Sequence, residues 1–207
     1  MQLYKVYKCY AYILLAVNFL NNKVFKFQFA ENFMAKHRPH EGVGYDALKA
    51  AMTEVSTKEE LYKKALVEIK ERVKDVDSVV PRMATVAAVL KNTMPHYFWC
   101  GFYFAEEDEL IIGPYQGTCA CPNIAYSGVC GTSAKNKEVV VVPDVHKFPG
   151  HIACDERSKS EIVIPLVGKN GMVIAVLDVD SSSYNAFDEV DKKYLGKIAS
   201  ILLEKEK

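Results

Sequence analysis

Apolar positions recur every three or four residues in several stretches of the chain and cluster as β-rich runs in others, which predicts helices set against a sheet. Ser56 and Glu59 stand at capping-box spacing, and Leu61, Ala65, Ile69 and Val73 follow at helical intervals, so residues 56–74 read as an amphipathic helix with one buried face. A second helix fits "VPRMATVAAVLKNTM", where Pro81 suits the first turn and Met83, Val86 and Leu90 share a side. A shorter one, capped by Asp46, fits "YDALKAAMTEV" upstream. "YFWCGFYF" and "ELIIGPY" are β-rich runs joined by the polar "AEEDE", a hairpin pattern. "EVVVVPDV" is a strand ended by Pro143, and "EIVIPLV" and "MVIAVLDVD" flank "GKNG", whose Asn170-Gly171 pair signals a tight turn. The last helix runs through "FDEVDKKYLGKIASILLEK", with Asp188 near its start and Val190, Tyr194, Ile198 and Ile201 on one stripe. The order predicts an α+β fold: a mostly antiparallel sheet with helices on one face, the other face left for loops or a ligand.

At 207 residues, half of them hydrophobic, the chain can bury one sizeable core without staples. A formal net charge of zero argues against a nucleic-acid partner bound by phosphate neutralisation. No run of eighteen or more apolar residues spans a bilayer, and nothing persuasive exports the chain, so a cytoplasmic location is expected. The apolar "CYAYILLAVNFL" after Lys5 and Lys8 has the outline of a signal core, but no small-residue cleavage site follows. Residues 1–55 therefore read as an N-terminal extension, with Met34 as an alternative start, and residues 56–207 as the domain.

The candidate chemistry begins with thiols. Four of the six cysteines, Cys119, Cys121, Cys130 and Cys154, fall in "GTCACPNIAYSGVCG" and "PGHIACD", both in loops carried on the sheet. A zinc cage fits poorly, because the close pair is C-x-C rather than a C-x2-C to C-x4-C knuckle. Structural disulfides need an oxidising compartment, and a free cysteine is often just a small apolar residue, the reading that suits Cys9 and Cys100. A reactive thiol needs N–H donors, a helix start or a cation. Cys130 lies between two glycines ahead of a short helix expected at Thr132, and Cys154 has His151, Arg157 and Lys159 as sequence neighbours. His151 alone is more often a loop residue than a general base.

Carboxylates form a second group. Asp178 and Asp180 sit two apart at the end of an apolar strand and so share a face, and Glu161 begins the strand expected to pair with it. Carboxylates converging on an apolar pocket repel one another, so at least one is expected to stay protonated near neutral pH. Against this stands the plainer reading of solvated strand ends. Trp99 and Tyr103 share a face of the "WCGFY" strand, as core or as pocket wall.

The motifs "FWCGFYF", "IIGPYQGTCAC", "SGVCGTSA", "VVVPDVHKFPGHIACDERSKSEIVIPL" and "VLDVDS" resemble, in order and nearly in spacing, the GAF-domain free methionine-(R)-sulfoxide reductases. The resemblance covers roughly residues 56–207 and implies an antiparallel sheet with a pocket for a free amino acid. It implies that Cys154 attacks the sulfoxide sulfur, with Cys130 the rival for that step, and that Cys130 and Cys121 resolve the resulting sulfenic acid. It assigns Glu161, Asp178 and Asp180 to the substrate's ammonium and to protonation, and Trp99 and Tyr103 to the wall around the methyl end. It implies a thioredoxin-type reductant and no metal or organic cofactor, and by analogy a homodimer. Cys119 has no counterpart role. The competing expectation is a GAF domain that senses a small molecule without chemistry.

Overall fold

The computed structural model describes residues 56–151 and 154–204. The expected helix at Asp46, the alternative start at Met34 and Cys9 lie outside these residues. In chain order the elements are α1 (Lys58–Val73), α2 (Val79–Thr93), β1 (Trp99–Ala105), β2 (Glu109–Gln116), β3 (Asn123–Ala125) and α3 (Val129–Asn136). There follow β4 (Val140–Val142), a 3-10 turn (Val145–Lys147), β5 (Ser160–Val167), β6 (Val173–Ser181) and α4 (Glu189–Leu203). The strands form one sheet in the order β3-β2-β1-β6-β5-β4, and every adjacent pair is antiparallel. None of the described helices is long and apolar enough to cross a membrane.

Strand alternation divides the sheet into two chemically different faces. Cys100, Phe102, Ile162, Ile164, Leu177 and Val179 point toward α1, α2 and α4 and join Ile69, Met83, Leu90, Leu195 and Ile198 in the main core. Each fully buried aliphatic or aromatic side chain there contributes about 1.5–3 kcal/mol relative to exposure. Trp99, Tyr103, Val163 and Val176 point the other way, where α3 and the long loops supply Val129, Cys130, Ala134 and Val145. The helices therefore fix the sheet from behind and leave this second face to hold the site.

Local chemistry sets the element ends. The α1 capping box is made by Thr57 and Glu60, one residue later than the sequence pattern suggested, because Thr57 takes the extended N-cap conformation and accepts from the Glu60 amide. Asp188 and Asp191 form a second box at α4, and Lys58 reaches across to Asp188 at 2.9 Å, tying the first helix to the last. The short β3 and the 3-10 turn were not expected; both are three-residue pieces, too short to show a period. Helix α3 begins at Val129, so Cys130 sits inside its first turn rather than ahead of a helix at Thr132.

Candidate active site

The floor of the site is built by register. Glu161 on β5 stands opposite Asp180 on β6, while Asp178 stands opposite Val163 on one side and Gly101 on the other. Alternation then puts Glu161, Asp178, Asp180, Trp99 and Tyr103 on one face, lining one pocket together with Cys130, His151 and Cys154. Glu161 and Asp178 are 5% and 7% exposed, deep enough for charge to be costly. Burial, and then the neighbouring carboxylates, push both well above the usual carboxylate range. Burial lifts Asp180 to about 6, although Ser158 donates a hydrogen bond that favours the ionised form. Asp178 Oδ1 is buried with no hydrogen-bond partner, an acceptor still to be satisfied.

The cations expected beside Cys154 are engaged elsewhere, and Cys130, at a helix start, is held as a neutral thiol. Cys130 Sγ donates to Glu161 Oε1 at 3.8 Å, and burial, then Asp178 and Glu161, push its thiol well up, so it is held neutral. His151 Nδ1 lies 3.9 Å from Glu161 Oε2, but burial moves the imidazole down, away from the charged form. Arg157 is spent on Asp155, with hydrogen bonds of 2.9 and 2.6 Å, and Lys159 lies over the Tyr184 ring at 5.3 Å. Sequence neighbours of Cys154 are thus partners of other groups.

One wall is an aromatic column. Trp99 stacks on Tyr103 at 6.0 Å and on Tyr115 at 5.5 Å between ring centroids. Gly101 permits it: a Cβ there would fall 2.3 Å from Tyr115 Cβ and 2.6 Å from the Trp99 ring. The two β1 aromatics also hold a loop, since Trp99 Nε1 donates to the Thr118 carbonyl at 3.1 Å and Tyr103 Oη to the Cys121 carbonyl at 3.2 Å.

That loop is one lip of the pocket, and Cys154 and Asp155 stand on the other. A disulfide joins them, Cys121 to Cys154, with Cα atoms 5.6 Å apart. Thr118 Oγ1 donates to Asp155 Oδ2 at 2.9 Å beside it, and the Arg157 guanidinium that holds Asp155 lies over Phe98 at 5.1 Å. Cys130 and the exposed Cys119 are free. Two of the four clustered sulfurs are therefore bonded to each other rather than gathered in a cage. Cys130, Glu161 and Asp178 offer ligand atoms within 4.8 Å of one another, the one such buried group among the described residues. Thr118, Tyr115, Asp155 and Ser158 are site residues that sequence patterns did not single out.

A six-stranded antiparallel sheet with helices behind and a loop-walled pocket in front defines the GAF fold, and the sequence pattern of the GAF domain family matches residues 73–202. Over 148 residues the chain is 47% identical to GAF domain-containing protein A of Dictyostelium discoideum, covering 70% of this chain and 92% of that protein. It is 50% identical over 108 residues to the free methionine-R-sulfoxide reductase of Saccharomyces cerevisiae, covering 50% of this chain and 60% of that protein. The crystal structure of the free methionine-R-sulfoxide reductase of Neisseria meningitidis with its substrate superposes with a TM-score of 0.70 at 42% identity, covering 73% and 92% of the two chains. The chain belongs to the GAF-domain free methionine-(R)-sulfoxide reductase family.

Proposed function

We propose that the protein is an oxidoreductase that reduces free L-methionine-(R)-sulfoxide to L-methionine. The observation that carries this reading is a cysteine pair, Cys121 and Cys154, bonded across the mouth of a pocket whose floor is three carboxyl groups. Relatives named for the same activity support it. The substrate's ammonium meets Asp178, whose Oδ1 lacks a partner, and the carboxylates beside it. Its methyl end lies against Trp99 and Tyr103.

In this reading the Cys154 thiolate attacks the sulfoxide sulfur, and a carboxyl kept protonated by burial passes its proton to the sulfoxide oxygen. The oxygen goes to Cys154 as a sulfenic acid, methionine leaves, and the Cys121 thiol displaces that oxygen as water. The sulfoxide has gained two electrons and the protein holds one new S–S bond. A thioredoxin-type dithiol returns the pair to thiols. First attack belongs to Cys154, because Cys130 is buried as a neutral thiol beside Glu161; Cys130 remains a second resolving partner.

The test is methionine formation with dithiothreitol from the free (R) epimer, the free (S) epimer and a peptide-bound sulfoxide. Turnover of the first alone is expected. A protein that binds the free (R) epimer and never converts it would instead be a GAF sensor.

A further inference from the structure

The three thiols nearest the pocket mouth differ in how they meet solvent. Cys121 and Cys154 are half-buried and bonded to each other; Thr118 and Asp155, near them in sequence, are joined by a hydrogen bond, and Tyr103 Oη donates to the Cys121 carbonyl. Cys119 is free and exposed, lies on the same loop two positions before Cys121, and lines the same pocket as Cys154. We propose that Cys119 is the exchange thiol through which the Cys121–Cys154 disulfide is handed to an external dithiol. The proposal rests on the sulfoxide-reductase reading and adds the route by which that enzyme is reset.

The step is a thiol–disulfide exchange. The Cys119 thiolate attacks Cys121 Sγ, the Cys121–Cys154 bond breaks, and the electron pair leaves on Cys154, which takes a proton from solvent. One disulfide is lost and one is formed, so no oxidant or reductant is consumed. The product, Cys119–Cys121, is then opened at its exposed sulfur by a protein dithiol, which is oxidised in turn. Chain geometry allows it: Cα atoms two residues apart are at most about 7 Å apart, and disulfides span roughly 4.4–6.8 Å. Residues 119–121 lie outside helix and strand, so no ladder opposes the bend. Attack at Cys121 is also the choice that frees Cys154, the thiol the next turnover needs.

The experiment uses full-length protein oxidised with one equivalent of diamide, without methionine sulfoxide, so that failure of the catalytic reading and failure of the exchange are separate results. After addition of substoichiometric reduced dithiol protein, free thiols are alkylated in acid and mapped by mass spectrometry. A Cys119–Cys121 link with alkylated Cys154 is expected in the wild type. In Cys119→Ser, reduction of Cys121–Cys154 by the same dithiol protein is expected to slow by about threefold or more. A compact phosphine serves as the control, since it reaches the sulfurs directly and should reduce both proteins at one rate. Absence of the 119–121 link in the wild type, a smaller slowing, or equal slowing with the phosphine overturns the proposal. The trapping arm reads the wild type alone and stands even if the variant folds poorly.

Discussion

Replacing Asp180 by asparagine should flatten the acid side of the stability profile. Burial raises this carboxyl from 3.8 to about 6, so the folded chain keeps a proton in a range where the unfolded chain has already lost its own. The folded value is the higher one, so stability is fullest below the unfolded value, falls as pH rises through about 6, and is level above. The gap is about 2 pH units at about 1.4 kcal/mol each, or about 3 kcal/mol. Asp180 is half-buried, and solvent screening brings this to about 2 kcal/mol. Asparagine keeps an oxygen for Ser158 and carries no titrating proton. It also removes a charge that helps raise Glu161, which acts in the same direction. Urea unfolding of oxidised wild type and Asp180→Asn, from about pH 4 to pH 7, isolates the effect. Asp155 and Asp144, held low by Arg157 and Lys147, cost stability on the acid side and are common to both proteins. The variant's stability relative to wild type should climb by about 2 kcal/mol across that range. Curves that stay parallel within about 0.5 kcal/mol would refute the argument that the floor is held together by protons.

Cys154→Ser should abolish single-turnover reduction of free methionine-(R)-sulfoxide, whereas Cys121→Ser, supplied with a thioredoxin-type dithiol, should yield a first equivalent of methionine and then recycle far more slowly than the wild type, through Cys130 alone; quenched-flow product counts decide it, and the reverse pattern overturns the assignment. Oxidation closes a loop of 33 residues, which should stabilise the fold by about 4 kcal/mol and raise Tm by about 10 °C over the dithiothreitol-treated protein. Equal melting curves would mean that the bond does not form in solution. Gly101→Ala should cost about 1–3 kcal/mol by overpacking Tyr115 and Trp99, and should shift the emission of the chain's one tryptophan; unchanged emission would count against the close approach.

Much of the fold was legible because helices and strands carry fixed periods. Asp178 and Asp180 share a face for no reason beyond strand alternation, and "GKNG" turns with Gly171 at a φ of 76°, a conformation glycine takes freely. Other features depend on contacts between segments distant in sequence. The partner of Cys154 is Cys121, 33 positions away, brought there by two loops with no period of their own. Arg157 looked like a cation for Cys154, yet Asp155, equally near in sequence, takes it by a forked hydrogen bond. Tyr115 joins the column only because the β1–β2 register shifts between Gly101 and Tyr103, which no pattern of residue types announces. Cys130 was misplaced for a simpler reason: Val-Cys-Gly-Thr-Ser has low helix preference, and α3 forms there through packing, with Gly131 set against the Tyr126 backbone.

The two β1 aromatics are anchored at both ends of their use: their rings bound the cavity while their polar tips grip the backbone that carries Cys121. On the proposed reductase reading, selectivity and regeneration are wired to the same side chains. An engineer who widens the cavity at Tyr103 to admit a bulkier sulfoxide also cuts the Cys121 loop loose. The widened variant would be limited by how fast its resolving arm finds Cys154 again, and restoring a donor to the Cys121 carbonyl, more than reshaping the cavity further, would be the way to recover its speed.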